Sequence, residues 1–354
     1  MTALLRTEGL GKRYGRRWAL SDCTLDVPAG HVVGLVGPNG AGKTTLLNMA
    51  AGQTAPSAGT IRVLGGVPGA GPAQLARVGY VAQQAPTYAG LTVADHLRLG
   101  ARLNPRWDAS LARDRVTRLG LDPRRRAGRL SGGQRAQLAL TLGIAKRPEL
   151  LILDEPVSSL DPLARREFLQ ALMEAAAEQE LSVLLSSHLL SDLERTCDYL
   201  IVLADAHVRL AGEVEHLLAT HHRLTGPRRD PATLPSGQHV VSASHTDRQT
   251  TLVVRTEDPV HDPSWTVASL SLEDLVLAYM ARPTSTPSTG GAGDPGGMGR
   301  GGGSGGAGGR AGGAGHPLDT LRAAAPDSTG TSGTSGTMNA GGATGGRPVL
   351  KVLR

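Results

Sequence analysis

Four short runs of uninterrupted apolar residues punctuate the N-terminal part of the chain: HVVGLVG (31–37), VGYVA (78–82), LLILD (150–154) and SVLLSS (182–187). Strands buried on both faces read this way, as they do in parallel sheets. Between these runs the periodicity becomes helical. From Arg165 to Glu180, the residues Phe168, Leu169, Leu172, Met173 and Ala176 share one face, with Arg and Glu opposite, which predicts an amphipathic helix. A second helical pattern, with Leu46, Leu47 and Ala50, follows the first strand, and a third runs from Arg135 to Ala145, ending before Pro148. Strands alternating with helices predict an α/β fold.

The pattern changes near residue 215. Residues 216–282 read as a small C-terminal extension, in which TLVVRT (251–256) predicts a strand and SLEDLVLAYM (271–280) a helix, with Ser271 and Asp274 in capping-box spacing. Residues 283–354 are mostly Gly, Ser, Thr, Pro and Ala. Such a segment buries too little to offset its ordering entropy, so it is expected to be a disordered tail, with RPVLKVLR as its end. The expected organisation is therefore 1–215, 216–282 and 283–354, without an internal repeat.

Composition narrows the classes. Hydrophobic residues make up 40% of the 354 positions but aromatics only 3%, so the core must be built from Leu, Val, Ile and Ala. Two cysteines, Cys23 and Cys197, are too few for a disulfide framework or a zinc cluster and suit a reducing compartment. The N-terminus lacks the apolar core of a leader peptide, and no run approaches the roughly 18 apolar residues of a membrane span. The net charge of +6 comes with short basic clusters, such as Arg124, Arg125, Arg126 and Arg228, Arg229, which read as solvated surface; no nucleic-acid partner is expected.

Three motifs carry chemistry. GPNGAGKTT (37–45) has the spacing G-x-x-x-x-G-K-[ST] at Gly37, Gly42, Lys43 and Thr44, with Pro38, Asn39, Gly40, Ala41 and Thr45 completing the loop. A triphosphate must be wrapped by main-chain N–H groups, glycine permits that close approach, and the helix that follows points its positive end at the phosphates. Lys43 is placed to reach the β- and γ-phosphates and the Thr44 hydroxyl to bind Mg²⁺. LLILDEP (150–156) ends a buried strand with two acids, at the sheet edge where open α/β folds bind ligands. Asp154 fits a Mg²⁺-holding role and Glu155 a general base for the attacking water. LSGGQ (130–134) sets Ser131 and Gln134 in capping-box spacing around Gly132 and Gly133, which makes a second helix start suited to an anion.

In this order and spacing, from the N-terminus to about residue 215, the motifs resemble those of the ATP-binding proteins of ABC transporters. The resemblance implies a P-loop NTPase core of ABC type, with a mainly parallel sheet, an N-terminal antiparallel β subdomain and a helical subdomain bearing the signature loop. It implies ATP and Mg²⁺ as cofactors and a hydrolytic site. Tyr14, in GKRYG, matches the aromatic that stacks on adenine. Gln83, in YVAQQ, matches the glutamine that contacts Mg²⁺ and the attacking water, although Gln84 adjoins it and the register between them stays open; Ala82 stands where the family often has Pro. Asp161, in SSLD, matches a residue of the dimer seam and is also a natural helix N-cap. His188 matches the histidine that contacts the γ-phosphate. One P-loop with two anion sites is answered by a pair of cassettes, homo- or heterodimeric, in which Ser131 closes on nucleotide held by the partner.

The implied setting is the cytoplasmic face of the cell membrane, against a separate integral-membrane permease, with residues 84–104 transmitting the motion. SLEDLVLAYM resembles the C-terminal segment of cassettes that serve drug, antibiotic or lipid exporters. A soluble ABC-type ATPase acting on ribosomes or DNA is the alternative. It fits less well with one cassette per chain, no long coiled coil and no zinc module. A non-catalytic scaffold fits poorly with Glu155 and His188 both present.

Overall fold

In the computed structural model, residues 3–83, 87–230, 234–235 and 237–281 are described. The Gly-rich segment from residue 283, RPVLKVLR and Gln84 lie outside them.

In chain order the N-terminal elements are β1 (Ala3–Tyr14), β2 (Arg17–Pro28), β3 (Val32–Val36), α1 (Lys43–Ala50), β4 (Ala58–Val63), α2 (Pro72–Arg77) and β5 (Val78–Val81). Helices α3 (Val93–Leu103), α4 (Ala109–Arg118) and α5 (Gly132–Ala145) precede β6 (Leu150–Asp154), α6 (Pro162–Gln179), β7 (Ser182–Ser186), α7 (Leu190–Glu194), β8 (Tyr199–Ala204) and β9 (His207–Glu213). Then come α8 (Val214–Thr220), β10 (His221–Pro227), β11 (His239–His245), β12 (Gln249–Arg255), β13 (Thr266–Ser269) and α9 (Leu272–Met280).

The central sheet has the order β5-β6-β7-β3-β8-β9 and is parallel except for β9, which pairs antiparallel with β8. Each of the four apolar runs became one of its strands. Their lack of alternation has a direct cause: both faces are covered. On β6, Leu150 and Ile152 join Leu46 and Leu47 of α1 and Leu5 and Leu20 of the N-terminal strands. Leu151 and Leu153 point the other way, into a cluster with Leu140 of α5 and with Phe168 and Leu172 of α6. Full burial of each such side chain stabilises by about 1.5–3 kcal/mol.

The antiparallel sheet β2-β1-β4 lies over the first of these faces, as the N-terminal subdomain anticipated from the sequence. Helices α3, α4 and α5 gather around Val93, Val116, Leu121, Ala127, Leu130 and Leu138. Helix α5 begins at Gly132, three residues before the apolar periodicity does. The Ser131–Gln134 capping box closes reciprocally and draws Gly132, Gly133 and Gln134 into the first turn.

After β9 the chain builds more than one strand and one helix. Helix α8 runs through position 215, and a second antiparallel sheet, β11-β12-β10-β13, surrounds Leu224, Leu252, Val254 and Trp265. Helix α9, capped by Ser271, returns to the main core, where Leu272, Leu275 and Val276 cluster with Leu200 and Val202 of β8. Among the described residues no helix is long and apolar enough to cross a membrane.

Candidate nucleotide site

The central strand β3, flanked by β7 and β8, delivers the chain into the loop Gly37–Gly42. Two glycines there are obligatory. Gly42 has φ +105°, and a Cβ at that position would run into the Ala19 carbonyl; a Cβ at Gly37 would overlap the carbonyl of Leu203. Gly42 is the N-cap of α1 and offers no side-chain acceptor, so the first-turn N–H groups of α1 face outward for a ligand. Lys43, only 6% exposed, folds back over the loop, and its Nζ donates to the Gly37 carbonyl at 2.7 Å.

The two acids diverge at the end of β6, as their adjacent positions on the chain require. Asp154 is 2% exposed, and its Oδ1 accepts a hydrogen bond from Ser186 Oγ at 2.8 Å. Glu155 takes a left-handed backbone, φ +44°, and its N–H donates to the same Ser186 Oγ at 2.8 Å. This turn sends the Glu155 carboxylate toward the P-loop. Its Oε1 lies 3.6 Å from Lys43 Nζ, while its Oε2 lies 3.3 Å from His188 Nδ1 and accepts from Gln83 Nε2 at 3.3 Å. Three residues predicted from separate motifs, Lys43, Gln83 and His188, thus meet at the carboxylate of a fourth, Glu155. Nearby, burial followed by the Asp154 charge pushes the Tyr80 phenol up to about 12, and its hydroxyl donates to Asn48 of α1.

These groups border a cavity of about 640 Å³. Asn39, Gly40, Gly42, Lys43, Thr44 and Thr45 form its floor, Gln83, Glu155 and His188 one wall, and Tyr14 with Arg17 and Ala19 the opposite rim. Tyr14 ends β1 and is 53% exposed, with Lys12 Nζ 5.4 Å from its ring centroid. Gly37, Pro38 and Ala41 shape the loop without lining the cavity, and Asp154 sits behind it.

Ser131, Gly132, Gly133 and Gln134 do not line this cavity. Gly132 instead borders a neighbouring hollow of about 720 Å³ with Ser158, Ser159 and Leu160, which shares Gln83 with the first, so the signature loop and the segment before α6 adjoin. Asp161 caps α6, its Oδ1 accepting from Leu163 and Ala164 N–H at 3.1 and 3.0 Å, and does not reach the nucleotide cavity of its own chain.

Two residues of the site were missed in the sequence. Arg17 pairs with Tyr14 across the two-residue turn Gly15–Arg16, so both side chains leave one face of the hairpin together. Its guanidinium comes within 3.9 Å of where a Cβ on Gly40 would lie, above the loop. The one available signal was Gly15, a turn-former that lies among basic residues rather than between apolar runs. Ser186 is the other: a hydroxyl at the end of an apolar strand, in register with Asp154, marks a buried polar partner.

Mg²⁺ suits the donors present. Thr44, Gln83 and Asp154 offer only oxygen to a cation, as Mg²⁺ prefers. Among the described residues no group of three or more His, Cys, Asp or Glu gathers as a metal cage.

The sequence profile of the family described as ABC transporter matches residues 20–158. The chain is 34% identical over 221 residues to an uncharacterized ABC transporter ATP-binding protein of Bacillus subtilis, covering 60% of this chain and 72% of that one. It is 36% identical over 203 residues to the thiamine import ATP-binding protein of Salmonella choleraesuis, covering 55% and 86% respectively. A solved ATP-binding subunit of an ABC transporter superposes with a TM-score of 0.55 at 29% identity, covering 60% of this chain and 91% of that one. With the family profile, the relatives and the fold in agreement, the chain belongs to the ABC transporter ATP-binding proteins and is an ATPase that drives transport.

Proposed function

We propose that this cassette works as one of a pair, in which ATP closes the dimer and hydrolysis reopens it, and that the motion drives export through a separate permease. The observation that carries the reading is the division of labour within one chain. Lys43, Gln83, Glu155 and His188 share a cavity, while the second anion-accepting helix start, at Ser131, lies outside it. A helix N-terminus with two glycines and a capping serine favours a negative charge, and a partner's γ-phosphate is that charge.

In this mechanism the loop N–H groups and Lys43 hold the β- and γ-phosphates. Mg²⁺, when bound through Thr44, Gln83 and Asp154, neutralises charge on the phosphates. Glu155 orients the water and takes its proton, and His188 steadies the same region from the β7 end. Ser131 and Gly133 of the partner cassette close the nucleotide from the far side, with Asp161 at the seam, and Tyr14 stacks on adenine. Residues after Gln83 pass the closure to the permease at the cytoplasmic face. The relatives include a thiamine import and a Nod factor export ATP-binding protein, so direction is not read from them; export is read from the Ser271–Met280 segment, which forms α9 against β8.

The test is Glu155→Gln in the full chain. Removal of a general base costs about 10²–10⁴-fold in hydrolysis while leaving the phosphate cradle intact. The variant is expected to run as a dimer in size-exclusion chromatography with light scattering when ATP is present, and as a monomer without it. A variant that hydrolyses ATP at the wild-type rate, or stays monomeric with ATP bound, overturns the reading.

A further inference from the structure

The C-terminal extension holds a cavity of its own, about 390 Å³ in volume. It lies between two loops, one after β10 and one before β13, on the sheet face that carries Leu224, Leu252 and Val254. The opposite face of that sheet, with Val253, joins the main core. Leu234 and Val260, one from each loop, pack against the first face. Trp265 belongs to the same cluster, is 7% exposed and lines the cavity. Its ring sits on β10 at Gly226, where a Cβ would come within 2.8 Å of it, so glycine is what admits the indole there. The cavity shares no lining residue with the nucleotide site.

Hydrogen bonds fix both loops. Arg229 N–H donates to Thr250 Oγ1 at 3.2 Å, and its Nη1 donates to Asp262 Oδ2 at 3.1 Å, which ties one loop to the other. Asp262 Oδ1 accepts from the Ser264 N–H at 2.9 Å, and Thr256 Oγ1 accepts from the Asp258 N–H at 3.2 Å. Gln238 N–H donates to the Pro235 carbonyl at 2.9 Å. Two acceptors of the lining are left over. The Asp258 carboxylate makes no hydrogen bond or ion pair among the described residues. Gln238 Oε1 is withdrawn from solvent and has no donor among them either. The carboxylate reaches across to the first loop: Asp258 Oδ2 is 3.6 Å from where a Cβ on Gly237, the neighbour of Gln238, would lie.

We propose that this cavity binds a small organic ammonium ion, held by Asp258 and Gln238 against Trp265. Arg229 and Asp262 neutralise each other, so Asp258 leaves one uncompensated negative charge in the wall. An anion would meet that charge while the lining guanidinium is already engaged. An apolar ligand would leave Gln238 Oε1 without a donor, and an orphaned buried acceptor is costly. A bare divalent cation needs about six oxygen ligands, which the apolar side of the cavity does not offer. A protonated amine brings both the charge and the N–H donors, and hydrogen bonds of that kind are the strong ones. Its carbon body suits Trp265, Leu234 and Pro235, and an indole attracts an organic cation. An apolar wall with a few placed polar groups is the usual make-up of a small-molecule pocket.

The test is isothermal titration calorimetry of the full-length protein with phenethylammonium, phenethyl alcohol and phenylpropionate, which share an aromatic body and differ in charge. The ammonium is expected to bind with a Kd at or below about 1 mM, and the other two at least about tenfold more weakly. Asp258 is exposed, so D258N is expected to fold normally and to bind the ammonium about tenfold more weakly. D247N removes the same charge from the exposed turn between β11 and β12 and is expected to bind as wild type. Absence of saturable binding by the ammonium, equal affinity for the three probes, wild-type affinity in D258N, or an equal loss in D247N overturns the proposal.

Discussion

Lys43 Nζ and Glu155 Oε1 lie 3.6 Å apart, both on side chains largely withdrawn from solvent. The cation proposed to meet the phosphates and the carboxylate proposed to meet the water are therefore electrostatic neighbours. Glu155 is further held by Gln83 and His188 on its other oxygen, so Lys43, Gln83 and His188 are tied together through this carboxylate. Lys43→Ala leaves that carboxylate without its buried cation and the phosphates without theirs. Truncating one member of such a pair costs about 2–5 kcal/mol, so the Kd for ATP is expected to rise by at least about 30-fold. Titration with a fluorescent ATP analogue measures this, and an unchanged Kd removes Lys43 from the site.

Ser186 ties the two acids together through a single oxygen. Ser186→Ala deprives both Asp154 Oδ1 and the Glu155 N–H of a partner at a position with no solvent exposure. An orphaned buried polar group costs about 1–3 kcal/mol, so a loss of that size in urea unfolding is expected. Because Glu155 is aimed by this turn, kcat should fall while ATP affinity, set by the loop, changes little. A variant with wild-type stability and kcat shows the hydroxyl to be dispensable.

How much of this was legible in the sequence depends on whether the signal was local. Strands β3, β5, β6 and β7 were readable because burial on both faces leaves a continuous apolar run. Helix α6 was readable because Phe168, Leu169 and Leu172 recur at helical spacing. The phosphate loop was legible from its own spacing, Glu155 from the strand it follows and His188 from the family resemblance, and the structure brings all three to one cavity. Strands β11 and β13 were not readable, since they are mostly exposed and carry no hydrophobic alternation. Arg17 and Ser186 were missed because their partners, Tyr14 across a turn and Asp154 on a neighbouring strand, become adjacent only through pairing. The position of Ser131 relative to the cavity is likewise a tertiary fact that no motif contains.

Arg17 has no hydrogen bond or ion pair among the described residues and stands over the loop apex beside Tyr14. An unpaired guanidinium there would attract the phosphates of a nucleotide whose base rests, as proposed, on Tyr14. The side chain is exposed, so its contribution is discounted to the range of surface charge pairs, about 0.2–1 kcal/mol. Arg17→Ala is expected to raise KM for ATP up to about fivefold with kcat unchanged, and Arg17→Lys to recover part of that. Equal KM values for all three proteins in steady-state hydrolysis exclude a role for Arg17 in nucleotide binding.

His221 should make the C-terminal extension sensitive to acid. The imidazole is fully buried where β10 meets α9. Its Nδ1 faces the Leu217 carbonyl at 2.7 Å, so that nitrogen carries the proton, and Nε2 accepts from the Tyr279 hydroxyl at 2.8 Å. A second proton would have to enter at Nε2, against burial first and then against the charges of Arg255, His222 and His216, although the Leu217 carbonyl favours it; the net effect lowers the pKa below 6.5. The unfolded chain, with an ordinary histidine, therefore binds the proton more readily than the folded one. Stability from this group is complete above about pH 6.5 and is lost as pH falls through the lowered folded value. Urea unfolding of wild type and His221→Asn from pH 8 to pH 5 measures it. The wild type starts more stable and is expected to lose that advantage as the solution is acidified; a constant difference between the two curves would mean that His221 does not titrate on unfolding.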